Sequence, residues 1–207
     1  MGRLLAIRGG AVGDFILTLP ALKLLKTGLP DAHLEVLGYE GITSLAEMAG
    51  IAARVRSIEH GPLASFFIPK SILDPDLKEW FGSFDLVVSW LNDPDEIFAA
   101  NLERSGVKTL LKGPHRMDES GSVPAATQLA APLENLALYL EEPHVDLGVS
   151  GAPEGPIAIH PGSGSPSKNW GHDNWLELMT RVQEAHPDVN FLIISGEAEM
   201  EQIDEFL

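Results

Sequence analysis

The sequence contains no cysteine, no long apolar run and no recognisable secretory signal. The absence of Cys among its 207 residues excludes disulfides and thiolate metal sites and is typical of a cytoplasmic protein. The longest apolar stretches, such as LVVSW and FLIIS, are too short to span a bilayer. The N-terminus, MGRLLAIRGG, leads straight into a predicted strand and lacks the pattern of a signal peptide. The sequence therefore predicts a cytoplasmic protein.

Basic residues are also scarce. The chain has 14 Lys and Arg against 30 Asp and Glu, which gives a formal net charge of −16. This balance argues against a nucleic-acid partner, because phosphate backbones are bound by concentrated Lys and Arg. It equally disfavours broad adhesion to an anionic membrane. An anion could still bind at one local site, so a backbone nest or a helix N-terminus is the place to look.

Short β runs alternate with helical stretches along the chain, which predicts an α/β protein with parallel sheets. Hydrophobic residues make up 44% of the sequence, enough to form a core. Strands are predicted at 3–8, 34–37, 54–58, 85–90, 107–111, 157–160 and 190–195, and the main helices at 14–26, 42–49, 96–105, 125–141 and 175–186. Pro20 is expected to kink the first helix.

The segment PHVDLGVSGAPEGP has no periodicity and predicts a connection between two domains. We expect a first domain over residues 1–148 and the start of a second over 149–207. Two strands and about two helices could not cover both faces of a parallel sheet. The second domain is therefore expected to be incomplete in this chain.

The first candidate site is RGGAVGD, residues 8–14, between a strand and a helix. Ligands of α/β proteins bind at the C-terminal ends of strands, and glycines there let the backbone approach them. A dinucleotide fingerprint would need glycine where Arg8 stands, so only the half containing Gly10 and Gly13 is present. Asp14 has two interpretations: a helix-capping carboxylate, or a base that takes a proton from an attacking hydroxyl.

The second candidate site lies in IAIHPGSGSPSKNWGHDNWLELM. Its GSGSPS segment could be a flexible linker, although a strand and a helix bound it closely. It is not a P-loop, because glycine does not precede Lys168. Hydroxyls of Ser163 and Ser165, loop N–H groups including that of Gly164, and the Lys168 ammonium could together hold a diphosphate.

Two stretches carry a resemblance to a known family. RLLAIRGGAVGDFILTLPALKLLK and IAIHPGSGSPSKNWGHDNWLELM resemble the opening and the donor-binding segment of the ADP-heptose–lipopolysaccharide heptosyltransferases, glycosyltransferase family 9. The resemblance implies a GT-B fold of two facing Rossmann-like domains, with the active site in the cleft. It also implies an inverting, metal-independent transfer of a heptose or related sugar from an ADP-sugar to a lipopolysaccharide-core-type acceptor, without a cofactor. The lipid-linked acceptor leaves a peripheral contact with the inner face of the cell membrane open.

The resemblance also implies roles for individual residues. Asp14 would be the general base, with Gly10 and Gly13 beside it. Ser163 and Lys168 would bind the donor diphosphate, and Lys168 would stabilise the leaving ADP. An acidic residue after the next strand would bind the ribose, and the choice between Glu197 and Glu199 stays open. The acceptor needs basic partners, for which the scattered candidates are Arg54, Arg56, Lys70 and Arg116.

Two other functions and one other site remain open. The chain could be a non-catalytic nucleotide- or sugar-binding module or a remnant. It could also be a nicotinamide-dependent oxidoreductase, for which Glu40 follows the second strand. The two D-P-D sequences, Asp74–Asp76 and Asp93–Asp95, could suggest a metal-bound nucleotide sugar. Asp followed by Pro is instead typical of a helix N-cap and first turn, so we interpret both as caps and expect no metal site.

Overall fold

The computed structural model describes residues 2–149, 155–163 and 166–196. The chain divides into two compact units, Met1–Val149 and Ser150–Leu207. Each unit contains parallel strands joined through helices. No helix in the described ranges is both long and apolar enough to cross a membrane.

The first unit is built on a five-stranded parallel sheet in the order β3-β2-β1-β4-β5. The strands are β1 (Arg3–Arg8), β2 (His33–Gly38), β3 (Arg54–Ser57), β4 (Leu86–Ser89) and β5 (Leu110–Lys112). From the central strand β1, the chain builds the sheet first toward one edge with β2 and β3, and then toward the other edge with β4 and β5. This arrangement creates a topological switch point between β1 and β4, where α/β proteins bind ligands.

Helices cover both faces of this sheet. They are α1 (Val12–Gly28), α2 (Glu40–Met48), α3 (Pro75–Gly82), α4 (Ile97–Arg104) and α5 (Ala125–Ala130), with 3-10 helices at Gly61–Phe67 and Ala131–Leu136. Alternate residues of β1 enter two separate cores: Leu4 and Ala6 pack in the core that includes α1, α2 and α5. Leu5 and Ile7 pack in the core that includes α3 and α4. A strand buried on both faces is therefore apolar along almost its whole length, as RLLAIR is.

The second unit has two described strands, β6 (Ile157–Ile159) and β7 (Phe191–Ile193), which pair in parallel. Helix α6 (His172–Ala185) lies between them in the chain. Ile159 is buried, whereas none of the described side chains of α6 is. The β-loop-α-β order predicted for this segment is confirmed.

Several predicted boundaries were wrong. Helix α1 begins at Val12 rather than at Asp14, so Gly13 lies in the first helical turn and not in the preceding loop. The predicted helix 125–141 ends at Ala130 and continues as a 3-10 helix only to Leu136. Pro132 lacks the N–H that an α-helix needs at this point, and Ala137 takes a left-handed conformation with φ 57° that closes the segment.

Candidate functional site

A cavity of about 730 Å³ opens at the carboxyl edge of the first sheet. Residues that follow each of the five strands line it: Gly10 after β1, Tyr39 after β2, Glu59 after β3, Asn92 after β4 and His115 after β5. The cavity therefore lies at the switch point between β1 and β4. Its place is the one that parallel α/β sheets use for ligands.

Asp14 lies on the wall of this cavity. It is the third residue of α1, and its Oδ2 accepts a hydrogen bond from the Ala11 N–H at 3.1 Å. The carboxylate thus holds the start of the helix, as its capping interpretation predicts, although from inside the first turn and not from the cap position. Its side chain remains 38% exposed. Holding the helix start and facing a ligand are therefore compatible in this geometry.

The turn before Asp14 depends on one glycine. Gly10 has φ 103°, a conformation that side chains with a Cβ rarely adopt. A Cβ added to Gly10 would lie 2.8 Å from the Asp14 Oδ2. Gly13 is different, because a Cβ there would have no heavy atom within 4 Å. The absent side chain at Gly10 leaves room for the carboxylate, whereas the space beside Gly13 is simply open.

Arg8 is a cavity-lining residue to which the sequence interpretation gave no role. Its side chain is only 2% exposed, and Nη1 donates to the backbone oxygens of Trp90 and His115, both at 3.1 Å. Nη2 lies 3.6 Å from the Asp14 Oδ1. Burial lowers the pKa of Arg8 from its usual value, and the Asp14 charge opposes that shift. The available signal was an arginine at the end of an otherwise apolar strand, directly before the glycine turn.

The rim of the cavity carries charges of both signs. Arg116 is exposed, lines the cavity as the acceptor-side prediction requires, and forms no ion pair or hydrogen bond with any described residue. Glu59 and Glu119 line the same space. The other predicted basic candidates, Arg54, Arg56 and Lys70, do not line this cavity. The structure therefore brings Asp14, Gly10 and Arg116 together with Arg8.

The predicted donor-binding residues belong to the second unit. Lys168 ends a short 3-10 helix, Pro166–Lys168, and is exposed. The Ser163 hydroxyl hydrogen bonds to the Asn169 Oδ1 at 2.7 Å. Trp170 and Trp175 pack edge to face with ring centroids 5.1 Å apart. Gly164, Ser165, Glu197 and Glu199 lie outside the described residues.

The first D-P-D sequence starts a helix, whereas the second lies ahead of one, so the prediction that Asp93 is a helix N-cap was wrong. Asp74 is the N-cap of α3 and its Oδ1 accepts from the Leu77 N–H at 2.9 Å, so its capping role is confirmed. Asp93 accepts from the N–H groups of Phe98 at 3.1 Å and Ala99 at 2.9 Å. It therefore binds the first turn of α4 from outside, since the helix begins only at Ile97. Across the described ranges, no group of three or more His, Asp or Glu residues is placed to hold a metal ion.

Comparison of the whole chain with solved structures finds glycosyltransferases. The E. coli heptosyltransferase WaaC bound to ADP matches with a TM-score of 0.66 and 16% identity, over 98% of this chain and 70% of that one. The E. coli ADP-heptose LPS heptosyltransferase II matches with a TM-score of 0.68 and 15% identity, over 98% and 67%. A glycosyl transferase family 9 protein from Veillonella parvula gives 0.69 and 16%, over 99% and 66%.

These likenesses confirm the predicted fold class, an α/β chain of the GT-B-like kind that the heptosyltransferases have. At such low sequence identities the likenesses show the fold, and the chemistry depends on the residues of the site itself. No protein-family model matches the sequence, and no curated protein matches it.

Proposed function

We propose that the protein is an inverting glycosyltransferase that moves a heptose, or a related sugar, from an ADP-sugar to a saccharide acceptor of the lipopolysaccharide-core type. The observation that carries the proposal is the Asp14 carboxylate, which the Ala11 N–H holds on the wall of the cavity at the switch point. The fold shared with heptosyltransferases supports the same reaction class.

In the proposed reaction an acceptor hydroxyl lies in the cavity beside Asp14. The carboxylate takes the hydroxyl proton as the oxygen attacks the anomeric carbon of the donor sugar. The bond between that carbon and the diphosphate oxygen breaks, and ADP leaves with the bonding electrons. Attack from the face opposite the leaving group gives inversion in a single displacement.

The donor side of the proposal rests on the second unit. Solved heptosyltransferases contain ADP and an ADP-heptose analogue, and by analogy we assign the ADP moiety to residues 149–207 and the acceptor to residues 1–148. The Lys168 ammonium and the Ser163 hydroxyl would contact the diphosphate, with Gly164 and Ser165 supplying further donors and Glu197 or Glu199 the ribose contact. A lysine can neutralise charge on the leaving diphosphate, so the proposal needs no metal and no cofactor.

The acceptor side uses Asp14, Gly10, Gly13 and Arg116. An anionic group of a core saccharide would meet the exposed guanidinium of Arg116 at the rim. A lipid-linked acceptor would bring the protein to the inner face of the cell membrane as a peripheral cytoplasmic enzyme.

The test is Asp14→Asn in the full-length protein, with ADP-heptose and a core saccharide as substrates. The amide keeps the shape of the side chain but cannot accept the proton, so kcat should fall by at least about 100-fold. Affinity for ADP, measured by calorimetry, should stay unchanged. Asp31→Asn is the matched control, because Asp31 is exposed and does not line the cavity.

Unchanged turnover of Asp14→Asn would remove the carboxylate from the mechanism. Tight ADP binding without any transfer by the unsubstituted protein would favour the nucleotide-binding module. Binding of NADH in a fluorescence titration would favour the oxidoreductase instead.

A further inference from the structure

The guanidinium of Arg8 is not fully used by the fold. Its Nη1 ties the end of β1 to the Trp90 and His115 carbonyls. Its Nε and Nη2 are buried, yet neither has a hydrogen-bond partner in the part of the chain that the structure describes. Buried N–H donors are normally satisfied, and each exception needs an explanation.

The free side of this guanidinium faces Asp14. The 3.6 Å between Nη2 and the Asp14 Oδ1 is within the range of an ion pair, but it is longer than a hydrogen bond. The other carboxylate oxygen, Oδ2, already accepts from the Ala11 N–H. Asp14 therefore stands between a backbone donor on one oxygen and a buried cation on the other.

A purely structural role would not require a charge at this position. A neutral donor could also bind the Trp90 and His115 carbonyls, and burying a cation is costly unless an anion compensates it. Asp14 is the anion that the structure places next to Arg8. Since an arginine keeps its proton at any ordinary pH, the positive charge beside the carboxylate is permanent.

We propose that Arg8 is a positioning residue that acts through Asp14, holding the carboxylate aimed at the acceptor hydroxyl. This inference rests on the proposed function of Asp14 as the base. Arg8 borders the cavity, but its side chain is only 2% exposed, so we expect it to act through Asp14 rather than by direct contact with the substrate. Its effect should therefore appear in the proton transfer and not in substrate affinity.

Other ionisable groups also face Asp14 across the cavity. They come from the segments after β2, β3 and β5: Tyr39, Glu59, His115, Arg116 and Glu119. Arg8 differs from these groups because it is buried, and solvent screens a buried charge much less than an exposed one. Removing Arg8 should therefore lower kcat more than removing Arg116.

The experiment compares Arg8→Gln, Arg8→Lys and Arg116→Gln by their kcat and their KM for the acceptor. Arg8→Gln removes the buried group that holds the Asp14 carboxylate, so kcat should fall by about 10-fold or more. Arg8→Lys keeps the charge with a different reach, so its kcat should fall less than that of Arg8→Gln. The KM for the acceptor should stay within about twofold for both Arg8 variants, since Arg8 acts through Asp14.

A double-mutant cycle separates this role from a structural one. In an Asp14→Asn background, Arg8→Gln should cause no further loss of kcat, because the group through which Arg8 acts is already gone. Arg3→Gln is the matched structural control: Arg3 lies on the same strand, pairs with Glu35 at 2.6 Å and does not line the cavity. It should lower thermal stability without lowering kcat.

Each outcome decides the matter. An unchanged kcat in Arg8→Gln, or an additive loss in the double variant, would overturn the role of Arg8 and leave that of Asp14 intact. Full activity of Asp14→Asn would overturn the proposed base itself. If Arg8→Gln does not fold, the same cycle is run with Arg8→Lys, whose changed reach should lower kcat only when Asp14 is present.

Discussion

The two strand–loop–helix segments that carry candidate site residues differ in how their polar groups are held. After β1, a three-residue turn leads into α1, and Asp14 is held by the Ala11 N–H and by a buried arginine. After β6, the longer segment 160–171 carries an exposed Lys168 and a Ser163 hydroxyl bonded to Asn169. The fold fixes the first polar group, whereas Lys168 in the second segment is exposed.

This difference separates stability from ligand binding. Substitutions around the first loop disturb buried neighbours, so they should change folding and activity together. Substitutions at Lys168 remove an exposed group and should change only what binds to it. The expected loss in free energy of unfolding is therefore largest for substitutions around the first loop and smallest for Lys168→Ala.

The largest effect is expected for Gly113→Ala, behind the first loop. A Cβ at Gly113 would overlap the Trp90 ring, which is only 1% exposed. Trp90 cannot move freely, because its Nε1 donates to the Leu129 oxygen and its own oxygen accepts from Arg8. We expect a loss of about 3 kcal/mol in urea unfolding, together with reduced transfer.

Gly41→Ala is the control for this variant. Gly41 lies in α2 and a Cβ there would have no heavy atom within 4 Å. We expect it to be neutral or slightly stabilising, by up to about 1 kcal/mol. Equal stability of the two alanine variants would mean that the position of the Trp90 ring does not stabilise the structure around the first loop.

The second effect is expected for Gly10→Ala, in the turn itself. The φ of 103° becomes strained once a Cβ is present, and the new methyl pushes against the Asp14 Oδ2. The strain should cost about 2 kcal/mol, and kcat should fall because the carboxylate is displaced. Gly13→Ala lies three residues on, in open space, and should leave stability unchanged or improve it.

Activity of the Gly13→Ala variant adds a separate result. If transfer falls while stability is unchanged, the open space beside Gly13 is where the acceptor lies. If transfer is unaffected, Gly13 has no part in acceptor binding. A normal kcat for Gly10→Ala would show that the conformation of the turn does not position the Asp14 carboxylate.

The sequence predicted the central strands of the first sheet well because β1 and β4 carry nearly continuous apolar runs between turn residues. RLLAIR is the clearest case, since both of its faces enter a core. Helix ends were less predictable. The capping rules favour Asp14 as the first residue of α1. In the structure its carboxylate binds the Ala11 N–H from the third helical position. The sequence alone does not distinguish between these two positions.

The site was predictable only where local chemistry identified it. Asp14 and Gly10 follow a strand and a glycine turn, which is a local pattern. Arg8 required knowledge of the sheet order, because its partners Trp90 and His115 come from the segments after β4 and β5. Long-range contacts of this kind are set by strand order, which hydrophobic periodicity does not specify.

The smallest effect on folding is expected for Lys168→Ala. Lys168 is exposed, so the free energy of unfolding should change by no more than about 0.5 kcal/mol. Affinity for ADP should nevertheless fall by roughly 10- to 100-fold, the loss expected for a charge-assisted hydrogen bond of about 1.5–3 kcal/mol. Arg181→Ala removes the same charge from the same unit, where Arg181 pairs with Glu177 at 2.7 Å. Both variants make the protein more acidic, so equal losses of ADP affinity in calorimetry would show a general electrostatic effect and exclude a specific contact at Lys168.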